Sequence, residues 1–138
     1  MTARLLGLAV CGLLLPLTAG ADDTKDRQVL KNIDVKDLKL TQVRAAFTKP
    51  IEITSAEELA KAFPDKEVQE RLKKEVNFGT HRLLYFAWSG SGQDRLDPAI
   101  DGSKPEVLFV FTPGRTRDYR AHFHLFALRK NVPFKLNR

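Results

Sequence analysis

Two hydrophobic periods run along this chain, and the change between them falls near Gly79. Upstream, "SAEELAKAF" (55–63) spaces Leu59, Ala62 and Phe63 as one helical face. Ser55 stands where an N-cap belongs, and Glu58 three residues later completes a capping box. Pro64 ends that run and reads as the first residue of a second helix, "PDKEVQERLKKEV" (64–76). Val68, Leu72 and Val76 form its apolar stripe, and mixed charge covers its other faces. Downstream, "HRLLYFAW" (81–88) is a continuous apolar run, the pattern of a strand buried on both faces. "EVLFVFT" (106–112) reads as another buried strand, and "YRAHFHLFALR" (119–129) as a third. "VPFKL" (132–136) reads as a fourth strand at an edge. Ahead of the helices, "KPIEITS" (49–55) is a short strand with Ile51 and Ile53 on one face. "VLKNIDVKDLKLTQVRAAF" (29–47) alternates in part and predicts one or two strands.

These elements predict an α+β fold: a mainly antiparallel sheet of about four to six strands, with two short helices packed on one face. Strands 81–88, 106–112 and 119–129 are expected to follow one another as a meander. The segment "SGSGQDRLDPAIDGSKP" (89–105), with three glycines and two prolines, reads as a long loop. "TPGRTRD" (112–118) reads as a tight polar turn set by Pro113–Gly114. In a meander these two loops would lie at opposite ends of the sheet. They would meet if 81–88 and 106–112 ran parallel.

The first residues change the picture of where the protein works. A single charge, Arg4, precedes an uncharged run of sixteen residues, Leu5 to Gly20, broken by Pro16. Ala19 and Ala21 then stand before Asp22 and Asp23. This is the order of a secretory signal peptide, 1–21. The run is too short for a spanning helix. Val10 before Cys11, and the place of Cys11 inside the run, argue against a lipid-attachment site. A polar leader, 22–28, would follow, and then one domain over 29–138. The only cysteine is Cys11, so the exported chain would hold itself without disulfides and without thiol chemistry. A periplasmic or secreted monomer is expected, with no membrane span after cleavage.

Charge is unevenly spread. Residues 104–138 carry eight basic and two acidic side chains, whereas 22–103 carry fourteen and fifteen. The positive excess therefore lies in the last quarter of the chain, which suits an anionic partner: an acidic face of another exported protein, or a cell-envelope polymer. Its arginines lack the interleaved aromatics of a stacking platform, so nucleic acid is not expected.

Candidate chemistry gathers at three places. His122 and His124 alternate onto one face of 119–129 with Arg120, leaving Tyr119, Ala121, Phe123, Leu125 and Ala127 as the expected core face. That puts both imidazoles on the less buried side. Two same-face histidines are half of a metal site, with His81 or a loop carboxylate (Asp94, Asp97, Asp101) as the missing ligands. The second place is "WSGSGQDR" (88–95), where Ser89, Ser91, Gln93, Asp94 and Arg95 would line a loop able to face an anion. Its spacing matches no phosphate-binding or nucleophile motif. The third is Arg115, Arg117 and Asp118 in the turn after Pro113. A hydrolase would need a His/Asp/Ser set with a pocket at Asp94 and a histidine of shifted pKa. No spacing singles out such a set, no catalytic residue is assigned, and no cofactor is implied. The reading is a non-enzymatic binding or accessory module, with a metal-binding protein and a small hydrolase as rivals.

The order of elements from "ITSAEELAKAF" through "VNF", an apolar strand, a Gly-rich segment and two strands ending "HLFALRK" resembles PrcB-like secreted domains, which act as protease-complex stability proteins. The likeness covers about 51–130 and is one of pattern. It implies a non-enzymatic exported domain that binds or stabilises another protein. The glycine segment here lacks a Thr-Gly-Gly run, and "TPGRTRD" is not part of that pattern. No functional residue is carried over.

Overall fold

The computed structural model describes residues 28–40 and 46–137. The signal peptide read over 1–21 and most of the leader lie outside them. No helix among the described residues is long and apolar enough to cross a membrane.

Among the described residues, seven strands and two helices follow in the order β1 (Leu30–Ile33), β2 (Ile51–Ile53), α1 (Ala56–Ala62), α2 (Lys66–Glu75), β3 (His81–Ser91), β4 (Arg95–Ile100), β5 (Val107–Thr112), β6 (Tyr119–Arg129) and β7 (Phe134–Asn137). The fold is α+β and dominated by sheet. The strands form two sheets. One is antiparallel, ordered β1-β6-β3-β2; the other, ordered β4-β5-β7, pairs β4 with β5 antiparallel and β5 with β7 parallel.

β3 and β6 are the spine. They pair over eleven residues, from His81↔Arg129 to Ser91↔Tyr119. Their odd-numbered side chains Leu83, Tyr85, Ala87, Leu125 and Ala127 pack with Leu59, Phe63, Val68, Leu72 and Val76 of the helical layer. Their even-numbered side chains Leu84, Phe86, Trp88, Phe126 and Leu128 pack with Leu96, Val107, Phe109 and Phe111 of the second sheet. The layers therefore run helices, four-stranded sheet, three-stranded sheet. This explains the unbroken apolar run from Leu83 to Trp88: both of its faces are covered.

The helices sit where the sequence places them, with two changes at their starts. Ser55 caps α1 through Glu58 N–H (3.2 Å), but the Glu58 carboxylate reaches back to Thr54, accepting from its N–H (2.7 Å) and hydroxyl (2.9 Å), not to Ser55. Pro64 does not open the second helix. Asp65 caps α2 by accepting from Glu67 N–H (2.8 Å), so Pro64 belongs to the link between helices. Gln69 donates to the Phe63 carbonyl (2.7 Å) and closes the end of α1.

Three strand expectations change. The three long strands do not form a meander: β5 leaves the sheet of β3 and β6 for the second sheet. Residues 95–100, read as loop, are the edge strand β4. An edge tolerates Pro98, and β4 buries only Leu96, so it carries almost no apolar pattern. β5 alternates buried and half-buried residues because only one of its faces meets the core. β7 is the expected edge strand. Of the 29–47 alternation only Leu30–Ile33 is a strand among the described residues; Val35, Leu38 and Leu40 pack beneath the helices from a turn.

Candidate functional site

β4 decides where the loops fall. A tight turn at 92–94 sends the chain from the end of β3 into β4, which runs back. β5 then reverses again, so the ends of β3 and β5 meet. The β3–β4 turn and the β5–β6 connector (113–118) lie together at one tip of the sandwich.

Side chains from both segments brace the tip. Asp94 accepts from Gly114 N–H (2.7 Å) and from the Trp88 indole N–H (3.1 Å). Ser91 Oγ accepts from the N–H groups of Gln93 (3.3 Å) and Thr116 (3.1 Å), which directs its own proton to Thr116 Oγ1 at 2.6 Å. Thr116 in turn donates to Asp118. Asp118 also accepts from Gly92 N–H (3.2 Å) and pairs with Arg120 (2.9 Å). The Thr116 hydroxyl first, then Gly92 N–H and the Arg120 charge, hold the Asp118 carboxyl below the usual carboxylate range against the opposing cost of burial. A Cβ on Gly114 would strike Ser91 Oγ and the Gln93 main chain, so the close approach of the two segments requires glycine there.

The cations of the tip are left for solvent. Arg95, Arg115, Arg117 and Arg120 are all exposed. Asp94 and Asp118 are consumed by internal bonds, and no ion pair engages Arg95, Arg115 or Arg117 among the described residues. An open cleft of about 580 Å³, lined by Gly92–Arg95 and Thr112–Arg115, lies between the segments. Exposed guanidinium groups around a braced cleft suit carboxylate or phosphate, which they engage through paired N–H donors.

The histidines are placed differently from expectation. His122 and His124 face the second sheet, whose presence could not be read from β6 alone, and both are half-buried. Each stacks on Trp88, with ring centroids at 5.0 and 5.1 Å and planes within 12° and 6°. His122 Nε2 lies 2.8 Å from the Ser91 carbonyl, which only accepts, so Nε2 carries the proton. Burial, then the neighbouring His122, pushes the His124 pKa down, with Asp97 opposing. His81 is buried at the opposite end of β3, between the Gln28 carbonyl (2.8 Å) and the Thr80 hydroxyl (2.7 Å). Both of its nitrogens are taken, and about 20 Å of strand separates it from Trp88 and His122. It does not join the other two as a ligand. No group of three or more His, Cys, Asp or Glu is placed to hold a metal among the described residues.

The pocket beside Asp94 and the shifted histidine asked of a hydrolase are both present, but apart. Asp94 is bound to Trp88 and Gly114, and His122 meets the Ser91 carbonyl, not its hydroxyl. No base–nucleophile hydrogen bond links them. Ser89 lies on β3 opposite Ala121, on the face away from Trp88. Of the other expected residues, the structure brings together Ser91, Gln93, Asp94, Arg95, Arg115, Asp118, Arg120 and His122; Arg117 stands exposed in the same connector.

Two participants were not anticipated. Thr116 is the central link between Ser91 and Asp118, and its only signal was its position between two arginines. Tyr119, expected in the core, is 79% exposed, because β6 outruns the helices that cover its odd-numbered face farther on. No protein-family model, curated protein or solved structure matches this chain.

Proposed function

We propose that this protein is an exported, non-enzymatic binding module that captures an anionic partner at the tip formed by residues 91–95 and 113–120. The observation that carries the reading is the division of labour there. Asp94, Ser91, Thr116 and Asp118 spend their polar groups on bracing the two segments, while Arg95, Arg115 and Arg117 are held at its surface without an ion-pair partner among the described residues. A prepaid loop geometry lowers the ordering cost of binding. Tyr119 beside these arginines adds the residue types that dominate binding hot spots. Export follows from the signal-peptide pattern, and the resemblance to PrcB-like domains points the same way: an accessory protein acting on another exported protein.

The test is fluorescence anisotropy with labelled poly-glutamate as the anionic probe. A variant with Arg95, Arg115, Arg117 and Arg120 changed to glutamine is compared with Lys73→Gln/Lys74→Gln on α2. Binding should fall steeply between about 50 and 500 mM salt, as exposed charges are screened. It should be lost in the arginine variant alone. Equal losses in both variants would reduce the effect to net charge and sink the reading.

A further inference from the structure

The hydrogen-bond phase of β6 shows an open strand slot. Gly92 N–H donates to the Asp118 carbonyl (2.9 Å), and Lys130 N–H to the Thr80 carbonyl (3.0 Å), so even-numbered residues of β6 bond toward β3. Arg129 N–H donates to the Val29 carbonyl (3.0 Å), so odd-numbered residues bond toward β1. β1 ends early: its last pair is Ile33↔Leu125. The chain then turns away, with Leu38 N–H on the Val35 carbonyl. Tyr119, Ala121 and Phe123 are thus left with their main-chain N–H and C=O groups pointing outward, and no described residue bonds them.

We propose that this edge receives an extended acidic segment of a partner protein, added antiparallel to β6 in line with β1. The pattern of the segment follows from the pleat. Residues opposite Tyr119, Ala121 and Phe123 share the helix-side face with an exposed phenol, an exposed methyl and a half-buried phenyl ring, and should be apolar. Residues between them fall on the face of Arg120 and His122, and should be acidic. A cleft of about 410 Å³, lined by Asn32–Lys36, Phe123 and His124, opens where β1 departs and would take the first apolar side chain. Asp34 and Asp118, at the two ends of this edge, are engaged by Lys36 N–H, and by Arg120 and Gly92. A second copy fits less well. Pairing β6 with itself about Ala121 would set Arg120 opposite the partner's His122 and would bring no acidic side chain to face either.

The slot itself is main chain of β6, and it shares only Tyr119 and Arg120 with the arginine tip. The probe is a capped heptapeptide of alternating valine and glutamate. The control peptide has the same composition, with its valines in one block and its glutamates in another. Ala121→Pro removes an outward N–H that the β3 ladder does not use, a change an edge tolerates. The alternating peptide should bind saturably and slow hydrogen exchange at Tyr119, Ala121 and Phe123. Binding should weaken about tenfold or more in Ala121→Pro, through loss of the donor and a ring placed in the slot. N-methylation of the peptide at the bonded positions should do the same without touching the protein. Arg115→Gln/Arg117→Gln should keep most of it, whereas those changes abolish poly-glutamate capture if the tip is the anion site. Equal binding of the block peptide would overturn the proposal, as would protection of the three amides in the free protein at all concentrations. Protection that grows with concentration alongside a doubled mass would assign the slot to a second copy.

Discussion

Replacing Asp94 by alanine tests the brace directly. The carboxylate accepts two hydrogen bonds, from Gly114 N–H at 2.7 Å and from the Trp88 indole at 3.1 Å, both in partly buried surroundings. Bonds to a charged acceptor contribute about 1.5–3 kcal/mol each. Partial solvent access reduces that, because water can replace the lost acceptor at Gly114 more readily than beneath the stacked aromatic rings. The expected loss is about 2–4 kcal/mol, or roughly 8–16 °C in melting temperature for a domain of this size. Urea unfolding followed by far-UV circular dichroism gives the loss, and an unchanged slope with denaturant would place it in the folded state. Asp94→Asn should lose less, since its carbonyl oxygen still serves Gly114 while its amide faces the indole donor. Trp88→Phe combined with Asp94→Ala should show coupling of about 1 kcal/mol. A loss below about 0.5 kcal/mol in Asp94→Ala would refute the reasoning, because the two segments would then be held by something other than this carboxylate.

Leu72→Ala in the helix-side core and Phe109→Ala in the other should each cost about 2–5 kcal/mol. Because β3 and β6 belong to both cores, each variant should still unfold in one transition, with Trp88 fluorescence and far-UV signals coincident. His124, lowered from 6.5 in the folded state, takes up its proton more readily when unfolded, so stability should fall as pH drops below about 6.5. Urea midpoints at pH 7.5 and 5.5 should therefore differ more in the native sequence than in His124→Gln. Tyr85 is fully buried and its pKa is pushed up to about 12 from 10.0, so it contributes stability that is lost as pH rises above 10; absorbance titration against Tyr85→Phe checks this.

The helices and the spine strands were legible because their signals are local and strong: a cap at Ser55, a stripe at Val68 and Leu72, and an apolar run from Leu83 to Trp88. β4 was not, because an edge strand with one buried residue and a proline has the composition of a loop. Missing β4 had a long reach. Without it the loops at 92–94 and 113–118 belong at opposite ends, and the even-numbered face of β6 reads as solvent-facing. His122 and His124 were misplaced for that reason, since what covers them is the second sheet, and that sheet depends on pairing distant in sequence. Tyr119 failed in the opposite sense. Alternation gives the face of a strand, not how far the covering layer extends along it. The arginines and polar residues of the tip could be named from the sequence, but that they converge is a property of the topology.

The central claim is that the β3–β4 turn and the β5–β6 connector form one arginine-bearing receptor for anions. A titration of ¹⁵N-labelled protein with poly-glutamate, read by amide chemical shifts at low and high salt, tests it most directly. The account predicts saturable shifts concentrated in 91–95 and 113–120, reversed by salt. Shifts spread over α2 and the other lysine-bearing surfaces, or none at the tip, would contradict it.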